Sequence, residues 1–364
     1  MRILYFSKDY STHDHRFLSA IAGGGHEVFY LKLEHNARQV EDRPVPSQVE
    51  QIQWAGGRGP FRWRDVPRLA LDLKRVIWDL KPDLVHAGPI QTCAFLAVLT
   101  GFRPILTMSW GFDLMQDVHR NRWWEWVTRY TLTRSTFFTS DADVTRDKAV
   151  AYGMNPNHTV VFPWGIDLEK FAPNTARRSR SKSFTLFCNR SWEPRYGVDV
   201  LAKAFVKVAA SKPEVGLILL NGGSQSATLR QILQNDGVLD RVHFGGQISQ
   251  NDLPDWYHMA DLYISPSHVD GSSVSLMEAL ACGLPALVSD IPANKEWVTD
   301  HENGWLFRDG DVDDLAAKIL QAIESRKSLK KIGTQARAVA EARADWKKNA
   351  ATLLQTYRTV LSLK

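Results

Sequence analysis

Cysteine is scarce in this 364-residue chain: Cys93, Cys188 and Cys282 are the only three, an odd number with no close pair. That excludes a disulfide framework; each lies in an apolar element and reads as a free core thiol in a reducing compartment. Long hydrophobic runs are missing too. The longest apolar region, residues 95–112, is broken by Arg103-Pro104 and cannot span a bilayer. The opening Met1-Arg2-Ile3-Leu4-Tyr5-Phe6-Ser7 is too short for the core of an export signal and suits a buried first strand. Charge of one sign is also lacking, since 45 basic against 40 acidic residues leave a net +5. So weak a balance excludes nucleic acid as the partner, while it suits anionic small molecules or an anionic membrane surface. The expectation is a soluble, cytoplasmic protein, with peripheral contact at the inner face of the membrane left open.

What the chain does have is rhythm. Short apolar runs at 3–6, 27–31, 84–86, 105–108, 136–139 and 160–162 alternate with stretches such as 66–80 and 91–99 that carry apolar residues at helical spacing. A second series follows at 184–188, 215–220, 242–244, 262–265, 286–289 and 305–307. Alternation of this kind means βαβ units and parallel sheets, so the fold class is α/β with two Rossmann-like, doubly wound domains. The polar, basic stretch 172–183 reads as the linker between a domain at 1–173 and a domain at 174–345, followed by a terminal helix over 346–364. Such a pair places a ligand in the cleft between the carboxyl edges of its sheets.

The most informative stretch is 265–285. It leaves a strand, turns through Asp270-Gly271-Ser272-Ser273, opens a helix with Ser272 or Ser273 as N-cap, and stops at Cys282-Gly283-Leu284-Pro285. A strand, a glycine turn and a helix start form a ready anion site. Glu278 stands more than a turn inside, too deep to cap; its carboxylate suits two vicinal hydroxyls, as on ribose. The bland alternative is a solvent-facing Glu and an Asx turn. In a second strand-to-helix loop, Arg190 and Arg195 stand five apart and can converge on a diphosphate through bidentate forks, or else bridge to Glu193 on the surface.

These two stretches resemble the signature of the retaining glycosyltransferase family 4 (group 1), of the GT-B fold. Asp270 and Glu278 have its two-acid spacing, with Asp where Glu is usual and Gly-Ser-Ser in place of Gly-Phe-Gly. Arg190 matches its arginine, and Arg195 stands at its lysine position with Tyr196 inserted before Gly197. The resemblance implies that Glu278 binds the ribose, Asp270 a hydroxyl of the transferred sugar, Gly271, Ser272 and Ser273 the sugar or diphosphate, and the two arginines the leaving diphosphate. It extends to Pro163-Trp164-Gly165-Ile166-Asp167, to Gly246-Gln247-Ile248 beside the base, and to the turn at Asn221-Gly222, which lacks the Walker lysine and the third glycine of a dinucleotide fingerprint.

In the first half the family's glycine loop is absent, and His13, Asp14 and His15 occupy its place as acceptor contacts or ordinary loop residues. His86 and the segment Trp110-Gly111-Phe112-Asp113 end two strands; Trp110 replaces the family's histidine, and Asp113 is a candidate for the acceptor. Trp123, Trp124 and Trp126 with their arginines suit either a membrane interface and a lipid-linked acceptor or a half-buried helix. No metal is expected: Asp141-Ala142-Asp143 and Asp311-Val312-Asp313 read as helix starts, and His13 with His15 lacks a further cluster. The implied reaction moves a hexosyl group, with retention and an α-linkage, from a nucleotide sugar to a saccharide or lipid-linked acceptor. A UDP-sugar is favoured and a GDP-sugar next; metal and other cofactors are unnecessary. The alternatives are a non-catalytic nucleotide-sugar binder and a sugar-nucleotide epimerase; a periplasmic-type sugar-binding protein is disfavoured.

Overall fold

Strands covered on both faces can be buried at every position, as the central runs 84–87, 105–108, 262–265 and 286–289 are. The computed structural model describes residues 1–35, 41–174 and 183–363. In the first unit β1 (Arg2–Ser7), β2 (Glu27–Lys32), β3 (Val49–Gln51), β4 (Leu84–Ala87), β5 (Ile105–Met108), β6 (Phe137–Ser140) and β7 (Thr159–Val161) form one sheet. Its order is β3-β2-β1-β4-β5-β6-β7, parallel throughout. The edge strand β3 escapes a sequence reading because it has three residues, Val49-Glu50-Gln51, of which only Val49 is buried. The second unit holds β8 (Phe184–Cys188), β9 (Val215–Leu220), β10 (Val242–Gly246), β11 (Leu262–Ser265), β12 (Ala286–Ser289) and β13 (Gly304–Phe307), in the order β10-β9-β8-β11-β12-β13.

Each order reverses direction at one point, between β1 and β4 and between β8 and β11. A doubly wound sheet opens a crevice at the carboxyl ends of the strands at such a point. β11 pairs directly with β8, Leu262 opposite Leu186 and Tyr263 opposite Phe187, so the loops that follow these two strands are neighbours.

The first unit consists of Met1–Pro163 with Lys347–Lys364, and the second of Trp164–Trp346. Residues 164–173 give Ile166 and Phe171 to a core cluster of the second unit. Most of the polar stretch 172–183, residues 175–182, lies outside the described residues. The helix Trp346–Ser362 buries Leu353, Tyr357 and Val360, and the Tyr357 hydroxyl meets His86 Nδ1 of β4 at 2.8 Å. The three cysteines are buried.

His86 is fully buried, and burial alone pulls its pKa down from 6.5 to about 3. An unfolded ring therefore takes up a proton at a pH where the folded one refuses it. The stability held by the neutral ring is complete above pH 6.5 and is lost as pH falls towards about 3. At 1.36 kcal/mol per unit, the loss between pH 6.5 and pH 4 is about 3 kcal/mol. A His86→Leu variant is expected to lack that part of the acid fall; urea denaturation of both proteins across this range measures it, and parallel curves would refute it.

Candidate active site

The loop after β8 and the loop after β11 build the site of the second unit. Gly197 makes their approach possible: its φ is +58°, and a Cβ there would collide with the carbonyl oxygen of Pro266. His268 N completes the join by donating to the Arg195 carbonyl at 2.9 Å. The turn after β9 closes the third side. Asn221 takes φ +69° and donates from Nδ2 to the Asn189 carbonyl at 2.5 Å, while Trp192 N donates to the Gly222 carbonyl at 3.0 Å.

Arg190 lies at the centre. Its Nη2 donates to Asp270 Oδ2 at 2.6 Å, and its Nη1 to Ser273 Oγ at 2.8 Å and Ser275 Oγ at 3.1 Å. The guanidinium lies over the Tyr196 ring, 4.3 Å from its centroid. The two charged side chains are 11% and 17% exposed, so the pair is largely withdrawn from water. Burial opposes the charge on Arg190, yet Asp270, with Tyr196 and Tyr263, lifts its pKa above the ordinary arginine value. Burial also raises the pKa of Asp270, and Arg190 and the Gly271 amide only partly offset it. Arg190 Nε is buried and has no hydrogen-bond partner among the described residues, and with the second hydrogen on Nη2 it leaves two of the five guanidinium donors unused.

The helix Val274–Ala281 starts beside this pair. Of the two expected caps, Ser273 takes the role by accepting from Leu276 N; Ser272 Oγ accepts from Trp297 Nε1 at 3.0 Å. Glu278 is buried, against the solvent-facing alternative, and its Oε2 accepts from the Tyr257 hydroxyl at 2.8 Å. Asn189 Nδ2 donates to that same hydroxyl at 2.9 Å. Burial first, then the charge of Glu278, pushes the Tyr257 pKa well up, so the phenol stays a donor. Tyr257, Asn189, Ser275 and Tyr263, which donates to Ser275 Oγ at 2.8 Å, are the residues that sequence reasoning missed. Ser275 had a signal, two places beyond Ser273; an aromatic at 257 within an amphipathic helix had none. Glu193 accepts from Ser224 N at 2.9 Å, and the Arg195 side chain is half-buried in the same loop. Gly246 ends β10 with φ +68°, Gln247 is exposed, and Ile248 packs on the core.

In the first unit the expected acceptor residues separate into two groups. Asp14 is fully buried: it forms a capping box with Ser11 and accepts from the Tyr5 hydroxyl at 3.0 Å. Asp113 is equally buried, accepting from Ser109 Oγ at 2.5 Å and from the amides of Ile90, Trp110 and Leu114. Burial raises both carboxyls to about 6. With His86 in β4, they brace the loops from inside and are not surface contacts. His13 and Trp110 do come together, ring edge to face at 5.6 Å, and His15 Nδ1 meets the Tyr10 hydroxyl at 2.7 Å. Asp311 caps the helix Val312–Glu324, and Asp143 opens the helix Asp143–Ala151. Among the described residues no three His, Cys, Asp or Glu side chains gather as metal ligands.

Both halves of the chain match known proteins. The family model described as glycosyl transferases group 1 matches residues 174–339, and the model described as glycosyl transferase 4-like matches residues 2–142. The second half of the chain is thus a group 1 glycosyltransferase domain and the first a glycosyl transferase 4-like domain, and the fold is GT-B. It is 28% identical over 212 residues to a GDP-mannose-dependent monoacylated alpha-(1-6)-phosphatidylinositol monomannoside mannosyltransferase of Corynebacterium glutamicum, a match over 54% of this chain and 55% of that one. It is 26% identical over 315 residues to the GDP-mannose-dependent alpha-(1-6)-phosphatidylinositol monomannoside mannosyltransferase of Mycolicibacterium smegmatis, over 79% of this chain and 80% of that one. Anabaena HepE, solved in complex with UDP-glucose, superposes with a TM-score of 0.81 at 17% identity, over 99% of this chain and 100% of that one.

Proposed function

We propose that the protein moves a hexosyl group from a nucleoside-diphosphate sugar to an acceptor hydroxyl with retention, giving an α-linkage, without a metal. The observation that carries this is the buried guanidinium of Arg190, with its unused Nε, beside the start of the helix that bears Glu278. Buried cationic donors at a helix start favour a diphosphate, and most of all one that gains charge as its bond to the sugar breaks. Arg190 and Arg195 neutralise that departing charge. Glu278, aimed by Tyr257, accepts from the ribose hydroxyls. Asp270 accepts from a sugar hydroxyl and stabilises the positive character of the reacting carbon. The acceptor oxygen bonds to that carbon on the face the phosphate leaves, and its proton passes to the leaving phosphate oxygen, so no separate base is needed. His13, His15 and Trp110 contact a saccharide or lipid-linked acceptor.

Base contacts in such a site are largely backbone, so side chains do not choose between UDP and GDP. The mannosyltransferase relatives favour a GDP-sugar, which moves ahead of the uridine donor expected from the sequence. Thermal stabilisation by GDP, UDP and ADP in excess chelator tests the donor site. At 100 times its dissociation constant the right nucleotide should add about 2.7 kcal/mol, several degrees in Tm. The product then decides the class by the one-bond carbon–hydrogen coupling at its anomeric centre. An α-glycoside supports the reading, an isomerised nucleotide sugar makes the protein an epimerase, and tight binding without product makes it a binder. A shift that appears only when metal is restored would overturn metal independence.

A further inference from the structure

Seven large hydrophobic side chains are exposed among the described residues, and five of them, Leu71, Trp78, Leu99, Trp123 and Trp126, come from three helices of the first unit. These are Val66–Leu80, Phe95–Leu99 and Arg122–Leu132, and the middle one packs against both others. Trp78 is 75% exposed, Trp123 50% and Trp126 45%. The last two stack at 4.9 Å with 22° between their planes. The aromatic ridge continues to Trp63 on one side (5.7 Å from Trp123) and to Tyr130 on the other (5.0 Å from Trp126), with Phe95 behind it. Trp124 turns inward, covered by Trp63 and the Arg120 guanidinium. Of the three tryptophans that the sequence suggested, two face outward, and Trp78 joins them from another helix.

Cations frame the ridge. Arg62, Arg64, Arg68, Lys74 and Arg75 are exposed along the first helix and its approach, and Arg120, Arg122, Arg129 and Arg134 along the third. Residues 61–80 hold five cations against three acids, and residues 120–134 four against one. Together the two segments carry a net +5, nine basic residues against four acidic. Indole rings favour the boundary between water and hydrocarbon, and clustered arginines favour a negatively charged surface. A two-fold contact between copies of this chain would instead set one copy's arginines against the other's.

We propose that this face docks on an anionic lipid bilayer. It uses none of the donor-site residues, so it stands or falls apart from the transfer reading. The test is cosedimentation of the full chain with vesicles of phosphatidylcholine alone and of phosphatidylcholine mixed with phosphatidylglycerol. Binding should be at least about tenfold tighter to the mixed vesicles and should weaken as salt rises. The double substitution Trp123→Ser and Trp126→Ser should lower it by about tenfold, as should Arg64→Gln with Arg68→Gln and Arg75→Gln, each at unchanged Tm and unchanged stabilisation by nucleotide. Absence of binding, equal binding to neutral vesicles, or full binding by the tryptophan variant would overturn the proposal. So would a dimer in light scattering that the tryptophan variant dissolves, which would give the face to a second copy.

Discussion

Arg190→Ala is expected to lower kcat/KM by about 10²- to 10⁴-fold and to abolish stabilisation by the nucleotide. Charge-assisted hydrogen bonds are worth roughly 1.5–3 kcal/mol each, and two of them to a diphosphate set that range. The fall should divide between KM and kcat, because the leaving group carries more charge at the transition state than in the bound donor. A second loss comes with it. Removing Arg190 strands Asp270 as a buried carboxyl without its ion-pair partner, at a cost of about 3–5 kcal/mol to folding if the charge stays. The two losses are separable. Adding Asp270→Asn to Arg190→Ala should return most of the stability and none of the activity. Arg190→Lys keeps the charge but not the fork, and should fall between wild type and alanine in both respects. Steady-state kinetics and thermal denaturation of the four proteins measure this; an Arg190→Ala enzyme that still gains stability from the nucleotide would refute it.

Gly333→Ala should be the most damaging small substitution away from the site. Gly333 lies in the helix Leu329–Arg343, and a Cβ there would fall within contact of the carbonyl oxygen of Gly283. By helix propensity alone, alanine would gain up to about 1 kcal/mol. The obstacle is backbone, which cannot rotate aside, so the helix must shift and leave voids at Ala336 and Ala340; overpacking of this kind costs about 3 kcal/mol or more. The net expectation is a loss of at least about 2 kcal/mol. Gly283 directly follows the C-cap of the helix carrying Glu278, so the strain reaches the site as well. Urea denaturation with a nucleotide-binding assay would detect both effects, and wild-type values in either would count against this account.

Much of this was legible beforehand because both sheets are buried. Continuous apolar runs such as 3–6 and 262–265 need no partner to be recognised, whereas Val49-Glu50-Gln51 is a strand only because β2 lies beside it. The donor-side candidates were legible through the family resemblance: Arg190 and Asp270 in loops that follow strands, and Glu278 in the helix after the second loop, stand at the spacing of its motifs. Two things were hidden. One was that Arg190 and Asp270 are partners of each other: the two residues are 80 apart in sequence, and only the pairing of β8 with β11 brings their loops together. The other was direction. Asp14 and Asp113 stand in the first turns of helices that follow strands and His86 near the end of β4, places where a polar side chain can face a ligand or brace the fold from within. The sequence around these residues is the same in either case.

The terminal helix makes the first unit discontinuous. The chain leaves that unit at Pro163, returns at Lys347, and its departing and returning segments are tied together: Ile166 N donates to the Ala344 carbonyl at 2.7 Å, and Trp346 N donates to the Ile166 carbonyl at 3.0 Å. On the ribosome this inverts the usual sequence of events. Residues 1–163 emerge first, but Tyr357, which closes over His86, is made only after all of Trp164–Trp346 has been synthesised. The second unit can complete its core while the first still has a buried histidine open to water. The unit made first is the one finished last.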